Sequence, residues 1–351
     1  MVKGYIAPAA VLALGACAVY AQEDVVDPAT LPSYLAADAA QSMLLDVVRT
    51  GDQLIAVGEH GHVLRSSDDG RSWAQVVVPS RAALTGVAFA DPEHGIVVGH
   101  DAVILRTADA GATWEVVYSD PDYQTPLLDV WMPSPERIVA IGAYGFYLES
   151  TDGGENWEQR TFRADPLPSD DDAASDEVDA EEDDAEEEDY GIDYHLNQIA
   201  QADDGTLYIA GEAGTFYRSD NSGEDWYQLE PDYEGSFFGA LPLTDGALLA
   251  FGMRGNLFRS EDRGRTFDPI ETGVDALLTS GFRRADGSVV VVGLAGVVLE
   301  SSDGKGFTLH RQSDRKGAMS ALSAEDGAAV LAGEAGVVRL TQDAYRNGGA
   351  P

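Results

Sequence analysis

The stretch VGEHGHVLRSSDDGRSW, residues 57–73, occurs in seven diverged copies along the chain. Five later copies keep both of its spaced glycines, Gly58 and Gly61, whereas the second copy keeps Gly99 and has Ala102 at the other place. The steps between the leading glycines are 41, 43, 69, 41, 41 and 40 residues. Because a fixed period near forty is typical of radial or stacked repeats, the spacing argues against a catalytic α/β domain.

Each repeat has the pattern of four short strands. In the first copy the apolar runs are residues 44–48, 53–57, 62–66 and 73–78, with Gly, Asp and Ser between them. Four such runs in one period predict one blade of a propeller. The fold class is therefore all-β, a seven-bladed β-propeller of four-stranded antiparallel blades. Because the last copy lacks a fourth run, we expect the N-terminal segment around Tyr34 to supply the outer strand of the last blade.

The turn between the third and fourth strands has the pattern Ser-x-Asp-x-Gly-x-x-Trp, as in Ser66, Asp68, Gly70 and Trp73. It recurs in the next four copies, is one residue shorter in the sixth and is absent from the seventh. Serine and aspartate side chains accept backbone N–H groups inside such a turn, and glycine permits a positive φ. The aromatic ring is expected to pack between blades, which contributes roughly 2–3 kcal/mol of burial.

The charge balance restricts the partners. The chain has 61 acidic and 22 basic residues and a net charge of −39. Such a surface argues against nucleic acid and anionic membranes as partners. Fourteen acids and no base lie within residues 170–189, so we predict an acidic disordered insert at 164–190, between blades 3 and 4 of a propeller at 30–342. Binding of cations or a basic partner is the alternative for this insert.

The N-terminus has the features of a signal peptide at residues 1–21. An apolar run at 6–16 follows Lys3 and is too short to span a bilayer. Cleavage near Ala21 predicts a periplasmic or secreted protein, and the alternative is a lipoprotein anchored at Cys17. Cys17 is the only cysteine, so no disulfide is expected, and no direct membrane insertion unless Cys17 is lipidated.

The turns between the second and third strands differ from copy to copy, as binding loops on a rigid scaffold do. Candidate partner residues on this top face are Glu59, His60, His100, Asp101, Tyr144, Glu212 and Arg254. Glu59, His60, His62, His100 and Asp101 are also possible metal ligands, but their spacing fits no metal motif, and we predict no metal or other cofactor. Polar and small residues of the inner strands are expected to line the axial channel: Asp46, Thr85, Asp129, Asn197, Gly239, Thr279 and Ser320.

One position of the third strand carries a charged residue in every copy. It is arginine in five, Arg65, Arg106, Arg218, Arg259 and Arg339, and glutamate in two, Glu149 and Glu300. Each arginine is expected either to pair with an acid of the neighbouring blade or to form a surface that binds a partner's carboxylates. Both interpretations remain open from the sequence.

The repeated phrase, from Val57 to Trp73, resembles that of the photosystem II stability and assembly factor family over residues 34–340. The resemblance implies a non-enzymatic seven-bladed propeller that binds a membrane-protein client or envelope complex and aids its assembly. It further implies that the repeat arginines form a partner-binding patch. The glutamates at 149 and 300 and the acidic surface depart from that pattern, and they favour a bacterial relative acting in the envelope, beside a membrane transporter for example.

The alternative is an enzyme. The Ser-x-Asp-x-Gly turn also occurs in sialidases and other propeller glycoside hydrolases, so a glycoside hydrolase or carbohydrate-binding propeller is the second hypothesis. A sialidase site needs arginines that converge on one carboxylate, whereas the repeat arginines here are spread around the ring. No nucleophile elbow, phosphate loop or cysteine–histidine pair is present in the sequence.

Overall fold

The computed structural model describes residues 30–120, 124–168 and 192–346. Seven separate sheets follow one another along this part of the chain. Their innermost strands contact each other in chain order, and the inner strand of the last sheet contacts that of the first. The sheets therefore close into a seven-bladed propeller, which confirms the predicted fold class. Within the described residues, no helix has the length and apolar character needed to cross a membrane.

The first three blades each have four antiparallel strands, numbered from the axis outward. Blade 1 contains β1 (Leu44–Thr50), β2 (Gln53–Gly58), β3 (His62–Ser66) and β4 (Ala74–Val76). Blade 2 contains β5 (Leu84–Phe89), β6 (Gly95–Gly99), β7 (Ile104–Thr107) and β8 (Glu115–Tyr118). Blade 3 contains β9 (Leu127–Trp131), β10 (Ile138–Gly142), β11 (Tyr147–Ser150) and β12 (Glu158–Gln159).

The remaining blades follow the same order, with one strand added and one missing. Blade 4 contains β14 (Leu196–Gln201), β15 (Leu207–Gly211), β16 (Phe216–Ser219) and β17 (Tyr227–Leu229), with β13 (Asp165–Pro166) outside them. Blade 5 contains β18 (Phe237–Pro242), β19 (Leu248–Gly252), β20 (Leu257–Ser260) and β21 (Asp268–Ile270). Blade 6 contains β22 (Leu278–Arg283), β23 (Val289–Gly293), β24 (Val297–Ser301) and β25 (Thr308–Arg311). Blade 7 contains β26 (Ala318–Ser323), β27 (Ala329–Gly333) and β28 (Gly336–Leu340), and the short helix α1 (Gln342–Arg346) follows it.

The hydrophobic core lies between the blades. Ile55 and Val57 of β2 pack against blade 2, whereas Leu54 and Ala56, on the other face of the same strand, pack against Val330 and its neighbours in blade 7. Both faces of the second strand are therefore buried, which explains its continuous apolar sequence. Burial of a valine or leucine side chain contributes about 1.5–3 kcal/mol, so the inter-blade contacts supply the main stabilisation of the ring.

The segment around Tyr34 is not the outer strand of the last blade, so that prediction is wrong. The amide of Ser33 donates to the Val78 carbonyl at 2.9 Å, and the Gln75 side chain bonds the Tyr34 carbonyl at 2.6 Å and the Ala36 amide at 2.8 Å. The Arg81 guanidinium lies 3.6 Å over the Tyr34 ring. These contacts hold the segment along blade 1, and the following 3₁₀ turn, Ala39–Gln41, contacts β28 of blade 7.

The first residues of the predicted acidic insert form β13. Asp165 and Pro166 pair in parallel with Tyr227 and Gln228 of β17, and the Asp165 amide donates to the Trp226 carbonyl at 2.9 Å. The chain therefore adds a fifth strand to blade 4 before it enters that blade at β14. The predicted insert from residue 169 onward, and the predicted signal peptide, lie outside the described residues.

Candidate functional site

The turns between third and fourth strands, on what we call the bottom face, have the hydrogen bonds that the sequence predicts. The Ser66 hydroxyl accepts from the Gly70 amide at 2.9 Å and donates to Asp68 Oδ1 at 2.8 Å. Asp68 also accepts from the Ser72 amide at 2.8 Å and from its hydroxyl at 2.6 Å. Gly70 has a φ of 81°, and the Trp73 indole donates to its carbonyl at 3.2 Å. These carboxylates are engaged in turn formation.

Hydrogen bonding changes the acidity of the turn aspartates. The Ser72 hydroxyl and amide lower the pKa of Asp68 to about 2, and the Asn156 side chain and amide do the same for Asp152. The ionised form is favoured because it accepts several hydrogen bonds at once. In blade 4 the roles are exchanged: Asn221 takes the aspartate position, and its side-chain amide donates to Asp225 at 2.8 Å.

The glycine pairs of the repeat lie where the top-face turns press against the loops that enter the next blade. Gly61 has a φ of 70°, and a Cβ there would lie 2.1 Å from the Ser80 carbonyl oxygen. At Gly145, with a φ of 66°, the corresponding distance to the Ile192 carbonyl oxygen is 1.9 Å. No side chain fits at these two positions, so the glycines fix each turn against its neighbouring loop.

The predicted top-face residues of blades 1 and 2 lie in 3₁₀ turns at Glu59–Gly61 and His100–Ala102. Glu59, His60 and His100 are exposed, whereas His62 is buried with its ring centroid 6.0 Å from that of His60. Burial lowers the pKa of His62. Within residues 30–120, 124–168 and 192–346, no three histidine, cysteine or acidic side chains are grouped so as to hold a metal.

The other predicted top-face residues lie in blades 3 to 5, together with apolar side chains that the sequence analysis missed. The Tyr144 ring contacts the His195 ring with centroids 4.8 Å apart, and Glu212 lies 3.3 Å from His195. Arg254 lies beside Met253 and Tyr233 at a cavity of about 560 Å³. Tyr194 and Tyr233 stand in the loops before inner strands, outside the repeated phrase, so no periodic signal indicated them. This part of the top face combines aromatic, apolar and charged groups.

The repeat arginines link neighbouring blades. Four donate to a backbone carbonyl in the bottom-face turn of the next blade: Arg106 to Gly153, Arg218 to Arg263, Arg259 to Asp303 and Gly304, and Arg339 to Asp69. Each of the four also contacts a carboxylate of its own blade at 2.5–2.7 Å, and Arg339 contacts in addition the Asp69 carboxylate of the neighbouring blade at 3.4 Å. The fifth, Arg65, donates to the Gln53 side chain at 2.6 Å. Arg218 and Arg259 are buried.

In the two blades with a glutamate at this position, an arginine from elsewhere in the same blade pairs with the glutamate and makes the bond to the next blade. Glu149 contacts Arg137 at 3.0 Å, and Arg137 donates to the Ser222 carbonyl of the blade 4 turn at 2.8 Å. Glu300 contacts Arg284 at 2.9 Å, and Arg284 donates to the Gly327 carbonyl of blade 7 at 3.1 Å. Although burial opposes ionisation, hydrogen bonds from Arg346 and Tyr345 outweigh it and hold the pKa of Glu300 at about 2.

The axial channel is lined by side chains that join successive inner strands. Every inner strand has a β-bulge after its first residue, which shifts the residues that follow. Five side chains beyond the bulge accept the backbone N–H of the next inner strand: Asp46 from Val87, Asp129 from Ile199, Gln198 from Ala240, Ser280 from Ala321 and Ser320 from Val47. The bulge residues Thr85, Asn197 and Thr279 also line the channel cavity, as the sequence predicts, and they donate to carbonyls of the next blade.

Asp46 and Asp129 are the two carboxyls of this channel, which contains a cavity of about 350 Å³. Burial raises the pKa of Asp129 to about 7, and repulsion from Asp46 adds to this. Burial also raises the pKa of Asp46. Both carboxyls hold backbone amides of their own and the next blade. In the structure they therefore join each inner strand to the next by hydrogen bonds.

The fold and the turns define a class: a seven-bladed propeller whose third-to-fourth-strand turns carry the Ser-x-Asp-x-Gly motif. Residues 66–172 match the family model described as photosynthesis system II assembly factor YCF48. The photosystem II assembly lipoprotein Ycf48 of Synechococcus sp. (strain CC9902) is 27% identical over 166 residues, 47% of this chain and 42% of that relative. The chloroplastic photosystem II stability/assembly factor HCF136 of Cyanidioschyzon merolae is 32% identical over 89 residues, 24% of this chain and 20% of the relative. The matched parts are less than half of these relatives' length, and they confirm the resemblance to photosystem II assembly factors.

Solved structures share the fold over most of the chain. A structure of YCF48 bound to D1 peptide has a TM-score of 0.65 at 16% identity and covers 86% of this chain and 94% of its own. A streptogramin B lyase has a TM-score of 0.66 at 11% identity, with the same coverage of 86% and 94%. At such identities the likeness shows the fold alone, and this fold serves both a binding protein and an enzyme.

Proposed function

We propose that this protein is a non-enzymatic propeller scaffold that binds a membrane-protein client and aids its assembly or stability. The observation that carries the proposal is the match of the repeated phrase to photosystem II assembly factors in a chain with the same ring fold. Because the relatives above are photosystem II factors, a client of that class is favoured over a transporter. The peptide-bound YCF48 structure supports recognition of a client segment.

The absence of catalysis is part of this proposal. The charged groups that would serve a hydrolase hold the fold instead: the turn aspartates order their turns, the repeat arginines link blades, and Asp46 and Asp129 fasten inner strands. A paired-carboxyl hydrolase in the channel is the competing function, since paired carboxyls are what glycoside hydrolysis requires. Turnover of a glycan library by the purified protein, lost in Asp129→Asn, would establish that alternative.

Two surfaces are proposed for the client. The first consists of the top-face residues Glu59, His60, His100, Asp101, Tyr144, Glu212 and Arg254. The second is the arginine position, where Arg65 and Arg106 retain partial exposure and Arg218, Arg259 and Arg339 are more enclosed. We favour the top face because Arg106, Arg218, Arg259 and Arg339 already contact carboxylates.

The protein is proposed to act outside the inner membrane. Three curated relatives carry the word lipoprotein in their names, which supports the alternative of an anchor at Cys17. Metabolic labelling with a palmitate analogue tests this, with Cys17→Ser as the control. Labelling lost in that variant would establish the anchor, whereas an unlabelled protein whose mature chain begins at Gln22 would support cleavage after Ala21.

The client is identified by crosslinking in intact cells of the native host, followed by purification from membranes. We expect one integral membrane protein or complex to be enriched. The matched variant reverses the charge at Arg65, Arg106 and Arg259 together, and retained capture by a folded variant would exclude the arginine surface. If no membrane protein is enriched and a glycan is hydrolysed, the scaffold function is wrong.

A further inference from the structure

Large apolar side chains are exposed on one part of the top face. Of the large hydrophobic residues exposed in the described part of the chain, three stand in the turns and loops of consecutive blades: Tyr144 is 64% exposed, Tyr194 47% and Met253 41%. Exposed apolar groups that lie together mark an interaction surface, and tyrosine and methionine are enriched at such surfaces. We name Tyr144, Tyr194, Tyr233 and Met253 the tyrosine sector.

Hydrogen bonds between blades hold this sector in place. The Gly145 amide donates to the Tyr194 carbonyl at 2.9 Å, which joins blade 3 to the loop entering blade 4. The Ala213 amide donates to the Ser236 hydroxyl at 3.3 Å, and the Tyr233 hydroxyl donates to the Met253 carbonyl at 3.1 Å. Because its backbone is fixed before any partner arrives, the sector would bind with little ordering cost.

A cavity lies at each end of the sector. One of about 360 Å³ is lined by Tyr144, Phe146, Arg160 and Phe162, among others. The other, of about 560 Å³, is lined by Tyr233, Glu234, Met253 and Arg254, among others. Two separate cavities, at blades 3 and 5, with the exposed Tyr194 in the loop that enters blade 4, fit an extended chain segment whose side chains enter each cavity.

The charge around the sector specifies the chemistry of that segment. Asp193, Asp232 and Glu234 are exposed carboxylates in its loops, and Asp232 and Glu234 form no ion pair with any described residue. The whole chain has a net charge of −39, and the two most buried repeat arginines, Arg218 and Arg259, contact carboxylates of their own blades. An acidic segment would therefore be repelled, whereas arginine or lysine would pair with the free carboxylates and stack on the tyrosine faces.

We propose that the tyrosine sector binds an extended segment of the client in which arginine or lysine residues stand next to apolar residues. This inference rests on the proposed function and names the surface and the partner chemistry. It differs from an arginine patch that binds carboxylates, because it requires the opposite charge on the client.

The test uses the purified chain and two fluorescent peptides that share their apolar residues, one with three arginines and the other with three glutamates. Fluorescence anisotropy should show at least tenfold tighter binding of the arginine peptide. Its affinity should weaken as salt rises from 50 to 500 mM, because salt screens the attraction between the peptide's arginines and the exposed carboxylates. The double variant Tyr144→Ser, Met253→Ser should bind the arginine peptide about tenfold more weakly, because the apolar contacts of both side chains are lost.

The matched control is Val77→Ser, Val116→Ser, which removes two exposed apolar side chains, 48% and 41% exposed, from the outer edges of blades 1 and 2. Its affinity should equal that of the parent, and thermal unfolding should show both double variants folded. Equal binding of the glutamate peptide, or equal affinities in the two double variants, would overturn the proposal. So would self-association of the parent that disappears only in the sector variant, because a second copy would then occupy the sector.

Capture of the client in crosslinked cells separates the two levels of inference. If the sector variant still captures the membrane client, the sector assignment is wrong and the scaffold function stands. If the parent captures no membrane client, the scaffold function is wrong whatever the peptides show.

Discussion

Arg259 distinguishes a structural role of the repeat arginines from a docking role. Its guanidinium contacts Asp245 at 2.6 Å and Glu261 at 3.3 Å, and it donates to the Asp303 and Gly304 carbonyls of blade 6. The substitution Arg259→Met keeps most of the aliphatic stem and removes every one of these bonds. Arg65→Met is the control, because Arg65 occupies the same position in blade 1 and donates to the neutral Gln53 side chain.

The geometry gives the size of the expected effect. The Arg259 side chain is 7% exposed, whereas those of Asp245 and Glu261 are 52% and 62% exposed. A hydrogen bond to a charged group contributes about 1.5–3 kcal/mol, and the exposed carboxylates regain water when the arginine is removed. We therefore expect Arg259→Met to lower the free energy of unfolding by about 2 kcal/mol. Arg65→Met should lower it by about 1 kcal/mol or less, because Arg65 and Gln53 are only half-buried and water replaces much of their bond.

Urea unfolding of the two variants, followed by tryptophan fluorescence, measures the difference, and client capture is scored on the same preparations. The structural role requires a destabilised Arg259→Met that still captures the client at a temperature where it is folded. The reasoning is refuted if Arg259→Met lies within about 0.5 kcal/mol of the parent, the range of ordinary surface substitutions. A stable variant with lost capture would assign Arg259 to the docking surface instead.

Three further predictions concern pH and glycine. Burial raises the pKa of Asp129 from 3.8 to about 7, so its contribution to stability is complete below pH 3.8 and is lost as pH rises from there through 7. The melting temperature should therefore fall between about pH 4 and 7, and by less in Asp129→Asn. If the melting temperature of Asp129→Asn fell with pH as steeply as that of the parent, Asp129 would not be the group responsible. The pKa of Asp68 and Asp152 is held at about 2, so their contribution is complete above pH 3.8 and is lost as pH falls towards 2. In Asp68→Asn, stability should therefore fall less steeply than in the parent as pH is lowered from 4 to 2. The same loss of stability in the variant and the parent would contradict this prediction. Calorimetry should show that Gly145→Ala destabilises the protein more than Gly205→Ala. Both glycines have positive φ, so each substitution costs about 1–2 kcal/mol of backbone strain, but only the alanine at 145 places a Cβ 1.9 Å from a carbonyl oxygen. Equal losses of stability in the two variants would refute the contact.

The blade count and the turn chemistry follow from the sequence because both depend on residues close together in the chain. Ser66, Asp68 and Gly70 bond one another within one turn, so their spacing alone predicts the contact. The spaced glycines mark a contact that recurs in each blade, so their period of about forty residues gives the number of blades.

The channel register and the N-terminal segment depend on choices between distant partners, which spacing does not encode. Thr85 and Asn197 line the channel cavity as the sequence predicts, but the β-bulge also brings them into bonds with carbonyls of the next blade, which the spacing does not reveal. The Tyr34 segment lies near blades 1 and 7, and hydrogen bonds from the side chains of Gln75 and Arg81 hold it on blade 1. Tyr194 and Tyr233 were missed for a related reason: they stand in loops that differ in every repeat.

The charge exchange at Glu149 and Glu300 shows which property of the repeat is kept around the ring. A docking patch that relied on positive charge would be interrupted at these two blades. The link to the next blade is not interrupted, because Arg137 and Arg284 supply the cation from a neighbouring position and donate to the Ser222 and Gly327 carbonyls. In six of the seven blades an arginine therefore reaches a backbone carbonyl of the next blade. That regularity is what closure of a ring requires, and it leaves the variable top face as the surface on which partner recognition is free to differ from blade to blade.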